Sequence, residues 1–295
     1  MHQDSAAFHT VLHDRMDATG SVVCLGIDPR PEAHPSTHPA NHDHDPAQVA
    51  KSLVIYFRDI VDASMQHLAA IKIQSAFFER LGIPGLIGMA QLIADTKERG
   101  IPLILDVKRG DIGSTAEAYA DAYLRDGSFG ADAITVQPYL GLDSIEPFLQ
   151  AAGEGERGLF VLVRTSNPGG ADVQDVETVV PGVTVADRVA DLLTERARDL
   201  GIDDRGYGPL GAVVGATIPD RLKAFRERLP HSILLVPGYG AQGAGAEDVR
   251  HAFDRSGFGA LISASRSLTY LEGVAPANEA AAAAERMKLD IQSVR

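Results

Sequence analysis

Leu103-Ile104-Leu105-Asp106-Val107-Lys108-Arg109-Gly110-Asp111-Ile112 starts as an apolar run and ends in a cluster of charges. The run is continuously apolar instead of alternating, which marks a parallel strand covered on both faces. Asp106 and Lys108 stand two apart, so on a strand they project the same way. Ionic groups at the end of an otherwise apolar strand are costly unless they are paired or used. Taken alone, the pair reads either as a structural ion pair capping the strand or as part of a reactive site.

Seven further runs of the same kind flank it: Val22–Asp28, Ala70–Gln74, Ala133–Pro138, Leu159–Ser166, Gly211–Thr217, Ile233–Gly238 and Ala260–Arg266. The segments between them carry helical spacing. Asp45-Pro46 supplies an N-cap and a first helical residue, and Val49, Leu53, Phe57, Ile60, Val61 and Leu68 follow as one face. Ile87, Ala90, Ile93, Ala94 and Lys97 form a second such face ending at Gly100. Thr184–Leu200 stops at Gly201, a glycine suited to the position after a helix. Phe8, Val11, Leu12 and Met16 predict an N-terminal amphipathic helix over about residues 5–19, and the Ala-rich tail predicts another over about 278–293.

Eight strand-then-helix units point to an α/β fold, a single-domain (β/α)8 TIM barrel spanning 1–295. A doubly wound open sheet would carry a Gly-rich phosphate turn after its first strand, and Gly26-Ile27-Asp28-Pro29-Arg30 is not one. Two stretches lack regular pattern, Pro29–Asp45 and Ser166–Pro181. Both follow strands, so both are expected on the face where such barrels build their sites.

The net charge of −13 makes the chain a poor general binder of nucleic acid or anionic membrane. No apolar run approaches the ~18 residues of a membrane span, and the N-terminus does not read as a signal peptide. The single cysteine, Cys24, sits in an apolar run and reads as a buried small side chain; with no intrachain disulfide possible, a reducing cytoplasm suits the chain. His34, His38, His42 and His44 lie in the Pro-rich stretch, and they read as solvated loop residues because nothing fixes a metal geometry. An anionic ligand would need cations gathered at strand ends. Lys72, Lys108 and Arg266 are placed to do that.

The strand ends form a pattern. Asp28 ends the first, Lys72 lies in the second, and Asp106, Lys108 and Asp111 follow the third. Arg164-Thr165-Ser166-Asn167-Pro168-Gly169 ends the fifth, Pro237-Gly238-Tyr239-Gly240-Ala241-Gln242-Gly243 the seventh, and Ser265-Arg266-Ser267 the eighth. Asp-x-Lys-x-x-Asp after the third strand resembles the orotidine monophosphate decarboxylase family. Lys72 matches the second-strand lysine of that family, the Pro237–Gly243 run resembles its phosphate loop, and Arg266 resembles its phosphate-binding arginine. The fifth-strand segment resembles the longer bacterial, mycobacterial-type subgroup. The likeness runs from Asp28 to Arg266.

The resemblance implies decarboxylation of orotidine 5′-monophosphate (OMP) to uridine 5′-monophosphate (UMP) without cofactor or metal. It implies Lys108 as the group that stabilises and protonates the C6 carbanion, Asp106 beside the departing carboxylate, and Asp28 and Lys72 at the ribose and in the charge array. Ser166 would contact the pyrimidine, Pro237 and Gln242 would bind substrate with Gln242 bridging base and phosphate, and Arg266 would pair with the phosphate. Asp111, Ile112 and Thr115 would enter the neighbouring subunit's site, which implies a homodimer. Carboxylates on both sides of Lys108 favour its charged form. Arg109, Arg164 and Asn167 admit ordinary rim or turn roles, and Tyr239 stands where the family often has an aliphatic residue.

Three other readings compete. A Mg²⁺-dependent sugar-phosphate enzyme of the same superfamily would need a carboxylate ligand near the second strand, where Lys72 would repel the metal. A Schiff-base aldolase would need a lysine with a lowered pKa. A non-catalytic phosphate binder would use Arg266 and the Gly-rich loop but not the Asp-Lys-Asp array.

Overall fold

Eight parallel strands close on one another in chain order, each hydrogen-bonded to the next and the last to the first. The structure is a computed structural model and describes residues 6–33, 45–154, 156–271 and 276–295. The order begins α1 (Phe8–Thr19), β1 (Val23–Ile27), α2 (Pro46–Ser64), β2 (Ala70–Gln74), α3 (Ser75–Glu79), α4 (Gly82–Glu98) and β3 (Leu103–Arg109). It continues α5 (Gly113–Leu124), β4 (Ala133–Val136), α6 (Glu146–Glu154), β5 (Gly158–Arg164), α7 (Ala171–Gln174), α8 (Val185–Leu200) and β6 (Leu210–Val214). The last elements are α9 (Pro219–Arg228), β7 (Leu234–Pro237), α10 (Ala246–Val249), β8 (Ala260–Ala264), α11 (Arg266–Thr269) and α12 (Pro276–Gln292). The expected (β/α)8 barrel is the fold.

Local chemistry sets the helix ends. Asp45 caps α2 by accepting the Ala47 N–H at 3.1 Å, with Pro46 first in the helix. Thr184 and Asp187 cap α8 reciprocally, satisfying two backbone N–H groups that the helix leaves open. Several strands end earlier than the apolar runs do. Arg266, read from sequence as a strand end, instead opens the one-turn helix α11, because Ser265 leaves the strand conformation (φ −120°, ψ −77°).

α1 lies across the N-terminal end of the barrel. Phe8 meets Phe160 edge-on with ring centroids 6.0 Å apart. That approach requires Gly158, since a Cβ there would stand 2.3 Å from the Phe8 ring. His13 is buried beside Tyr207 and Phe258. From the other terminus, Lys288 of α12 donates to Thr19 O at 2.7 Å and Gln292 to Gly20 O at 2.6 Å. One end is thus sealed and the opposite one stays open.

Cys24 is a buried free thiol, pushed up to about 12 by burial, which leaves it unreactive. His34, His38, His42 and His44 lie outside the described residues. Among the described residues, no helix is long and apolar enough to cross a membrane.

Candidate active site

A cleft of about 550 Å³ opens at the C-terminal ends of the strands. Asp28, Lys72, Gln74, Asp106, Lys108 and Thr135 line one side of it. Ser166, Pro237 and Gln242 line the other, together with Asn167, Gly169, Gly170, Val173 and Gln174 from the segment after β5. A groove of about 600 Å³ also runs outside the barrel between α2 and α4, but its charged lining residues include Arg58 and Asp95, which pair with each other.

Asp106 is the hub of the cleft. Its Oδ2 accepts from Lys72 Nζ and Gln74 Nε2, each at 2.9 Å. Its Oδ1 accepts from Lys108 Nζ at 2.6 Å and Thr135 Oγ1 at 2.8 Å. A carboxylate offers about four acceptor sites, so this one is saturated. Burial alone would push the Asp106 carboxyl up; Lys72 and Lys108, by charge and hydrogen bonding, hold it well below the usual carboxylate range. Burial also works against the charge on Lys72, yet Asp106 and Asp28 raise its pKa above that of an ordinary lysine. Lys72 is therefore an ammonium, not the neutral amine a Schiff base needs.

The two lysines differ in access. The Lys72 side chain is 9% exposed and the Lys108 side chain 45%, so only Lys108 presents its amine freely to the cleft. Simple strand alternation does not explain how Lys108 meets Asp106. Lys108 adopts φ +45°, and the β3–β4 register shifts between Leu105 and Arg109. The irregularity turns the end of the strand and still leaves the amine on the carboxylate.

The other expected residues divide into three groups. Asp28 lines the cleft, and its buried Oδ1 has no hydrogen-bond partner among the described residues. Ser166, Pro237 and Gln242 also line the cleft. Ser166 comes close to β6 because Gly215 has no side chain; a Cβ there would stand 2.7 Å from the Ser166 Cα. Arg266 lies beside the cleft instead of within its wall. It is exposed, and among the described residues its side chain makes one hydrogen bond, a long 3.4 Å contact with Ala241 O in the Gly-rich loop. Ser265 and Ser267 flank it with buried hydroxyls that have no hydrogen-bond partner among the described residues. Gly240 (φ +72°) passes so near that a Cβ would stand 2.9 Å from Ser267 Oγ. Arg266, two free hydroxyls and a Gly-rich backbone make a cradle suited to an anion.

Asp111, Ile112 and Thr115 do not reach this cleft. They lie at the start of α5, Ile112 and Thr115 exposed, and Asp111 accepts its own neighbour's Ile112 N–H at 2.8 Å. Within the chain Lys108 is thus bracketed by Asp106 alone, not by Asp111 as the spacing suggested. Arg109 pairs with Glu79 at 2.8 Å and leans on Tyr119 and Tyr123, a rim role. Tyr239 is half-buried, and burial raises its phenol pKa, with Asp290 of α12 adding to the effect.

The sequence does not single out Gln74 or Thr135, while the irregular stretch after β5 that it places on this face supplies one wall. Gln74 was within reach, being two residues beyond Lys72 on the same strand face. Arg164 holds the wall through Asp175, and Asn167 accepts from Thr165 Oγ1 at 2.7 Å. Tyr270 also went unread: its hydroxyl donates to Asp28 O and accepts the Arg30 N–H, each at 2.6 Å, which ties the first loop to α11. Among the described residues no group of three or more His, Cys, Asp or Glu side chains is arranged to hold a metal ion.

Known proteins share this arrangement of chain. The family described as orotidine 5′-phosphate decarboxylase / HUMPS matches residues 21–283. An orotidine 5′-phosphate decarboxylase of Rhodopirellula baltica is 45% identical over 269 residues, covering 89% of this chain and 88% of that one. The one from Deinococcus radiodurans is 42% identical over 278 residues, covering 94% of each. Among solved structures, the OMP decarboxylase of Leishmania donovani superposes with a TM-score of 0.76 at 30% identity, covering 98% of both chains. A protein of Streptomyces avermitilis superposes with a TM-score of 0.82 at 34% identity, over 99% of this chain and 97% of that one. A closed barrel whose open end gathers two lysines on one buried aspartate, with relatives this similar along nearly its whole length, belongs to the orotidine 5′-phosphate decarboxylase / HUMPS family.

Proposed function

We propose that this chain is a carboxy-lyase that converts OMP to UMP in pyrimidine biosynthesis, using its own side chains and no metal or organic cofactor. One observation carries the chemistry: Lys108 offers a half-exposed amine to the cleft while Asp106 holds it from behind at 2.6 Å. The C6–carboxylate bond breaks, CO₂ leaves, and the electron pair stays on C6. The Lys108 ammonium stabilises that charge and gives C6 its proton, and the resulting amine is reprotonated from water.

Asp106 would lie near the departing carboxylate. Two like charges about 4 Å apart repel by roughly 4 kcal/mol at an effective dielectric of about 20. Enzymes commonly lower barriers by about 8–23 kcal/mol, so repulsion is a minor contribution. Preorganised cations and phosphate binding energy carry more of it. In this reading Arg266 forks the phosphate, Gln242 bridges phosphate and base, Ser166 and Pro237 contact the pyrimidine end, and Asp28 accepts from a ribose hydroxyl. Asp111, Ile112 and Thr115 complete the site of a second subunit in a homodimer, for which the exposure of Ile112 and Thr115 makes this segment available. The enzyme works in the cytoplasm, where its free thiol needs no oxidant.

The family description also covers HUMPS, whose reading requires a metal in this cleft. Lys72, buried and charged, disfavours a divalent cation there. The test follows the loss of OMP absorbance with purified protein, before and after exhaustive EDTA treatment. Turnover that survives EDTA unchanged is expected. No turnover, or turnover that depends on added Mg²⁺, overturns the reading.

A further inference from the structure

Thr135 joins the two halves of the reactive pair. Its hydroxyl donates to Asp106 Oδ1 at 2.8 Å and accepts the backbone N–H of Lys108 at 3.0 Å. The side chain is buried on β4, directly across the irregular stretch of β3. A regular ladder would satisfy the Lys108 N–H from the neighbouring backbone. Here the register shifts between Leu105 and Arg109, and the Thr135 hydroxyl takes over that N–H. Lys108 meanwhile holds φ +45°, a left-handed conformation that a non-glycine residue keeps only where its surroundings fix it.

We propose that Thr135 is a positioning residue: by bonding the Asp106 carboxylate and the Lys108 backbone through one oxygen, it sets the line along which the lysine amine meets C6. The proposal rests on the decarboxylase reading above. A hydroxyl suits the task because it both donates and accepts. The donor proton goes to the carboxylate, and a lone pair remains for the Lys108 N–H. Valine, the nearest isostere, can do neither, and it would leave a buried N–H and one carboxylate site open. Serine keeps both bonds. Gln74 fixes the other carboxylate oxygen but touches no part of the Lys108 backbone, so it orients Asp106 alone. Displacements of about 1 Å in a reacting group cost on the order of 10²-fold in rate.

The test compares wild type, Thr135→Val, Thr135→Ala and Thr135→Ser in one OMP turnover assay, with thermal melts and UMP affinity measured on each. Thr135→Val and Thr135→Ala are expected to lose about 10²-fold in kcat with KM and UMP affinity within about threefold of wild type. Thr135→Ser is expected to retain kcat within about threefold. A merely structural role would lower the melting temperature without this split between kcat and KM, and without rescue by serine. If Thr135→Val does not fold, Thr135→Ala, which only deletes atoms, decides the question. Wild type inert on OMP sinks the decarboxylase reading and the positioning role with it. Wild type active, with folded Val or Ala variants equally active, overturns the role of Thr135 alone.

Discussion

Arg164 grips Asp175 with two parallel hydrogen bonds, Nε to Oδ1 and Nη2 to Oδ2, both 2.8 Å, across the base of the segment that walls the cleft. The guanidinium is buried and also donates to Thr165 O. Gln174, one residue before Asp175, accepts the Thr165 N–H at 2.8 Å. The fifth strand end and α7 are thereby clamped together, and Ser166, Asn167, Gly169, Gly170 and Val173 are held against the cleft.

Loosening that clamp should weaken substrate binding more than chemistry. Arg164→Lys removes the fork while keeping the charge, and a lysine cannot replace two parallel bonds. The KM for OMP is expected to rise about tenfold or more, equivalent to ~1.4 kcal/mol, with kcat within a few fold. Limited proteolysis should cut faster within 166–181. A variant with unchanged KM and unchanged cleavage rate would show that the wall stands without the pair.

Lys72 and Lys108 share one carboxylate yet should separate stability from catalysis. Lys72→Met leaves the buried Asp106 charge without its enclosed partner, a loss on the order of 3–5 kcal/mol by urea unfolding. Lys108 is 45% exposed, so its ion pair is discounted for solvent, and Lys108→Ala is expected to cost no more than about 1 kcal/mol. Its kcat should nevertheless fall by at least about 10²–10⁴, the usual scale for a general acid. Equal effects of the two substitutions on both measurements would contradict this division.

Some of this was legible in the sequence for definite reasons. Continuous apolar runs exposed the parallel strands, and Asp45-Pro46 and Thr184 announced helix starts because capping is a local interaction. The Asp106–Lys108 pair stood out because charge inside an apolar run is costly. Thr135 is neutral and nothing in its strand marks it as a partner of Asp106, whereas Gln74 is marked only by its spacing from Lys72. The positive φ of Lys108 has no sequence marker either, since glycine is the residue that usually advertises it. Arg164 and Asp175 are joined only by the path of a loop, which no periodicity describes. Arg266 was found as a residue but misplaced as an element, because Ser265 turns the chain at the strand's last step.

Arg266 should govern affinity for the phosphate and little else. Among the described residues its side chain makes only the long bond to Ala241 O, and the guanidinium is exposed, so removing it should cost the fold little. Hydrogen bonds to charged groups contribute about 1.5–3 kcal/mol, so Arg266→Ala should weaken UMP binding by roughly 10- to 150-fold in calorimetric titration. Affinity for uridine, which lacks the phosphate, should not change. A matching loss for uridine would place the arginine elsewhere on the ligand.

The sealed end of the barrel carries a pH dependence of its own. His9 and His13, one turn apart on α1, are both buried, and burial lowers both pKa values from the ordinary 6.5 against the opposing charge of Asp203. Arg205 and His9 lower that of His13 further. Asp203 Oδ2 stands 3.7 Å from His13 Nδ1, too far for a hydrogen bond, and among the described residues neither ring nitrogen of His13 has a hydrogen-bond partner. With folded pKa values below the unfolded ones, the unfolded chain takes up protons first on acidification. The stability is therefore complete above about pH 6.5 and is lost as pH falls toward the lowered values. Melting temperature should decline between pH 7.5 and 5, and His13→Phe, which suits the Tyr207 and Phe258 rings, should flatten that decline. An unchanged slope in His13→Phe would assign the acid sensitivity to other groups.

Subunit mixing decides whether Asp111 serves its own cleft or a neighbour's. Asp111 makes no pair with Lys108 of its own chain and, half-buried, precedes α5 beside the exposed Ile112 and Thr115, so a site within one subunit gives it nothing to do. If it acts across a dimer, Lys108→Ala and Asp111→Asn each inactivate every site in their own homodimers. In a mixed dimer, the subunit with intact Lys108 receives intact Asp111 from its partner, while the other site carries both defects. Random reassortment makes half of the dimers mixed, each with one working site, so activity should return to about one quarter of wild type. The two inactive variants should therefore be unfolded together, refolded as a mixture and assayed for OMP turnover. A mixture as inactive as its components would return Asp111 to its own chain's site and remove the argument for a shared one.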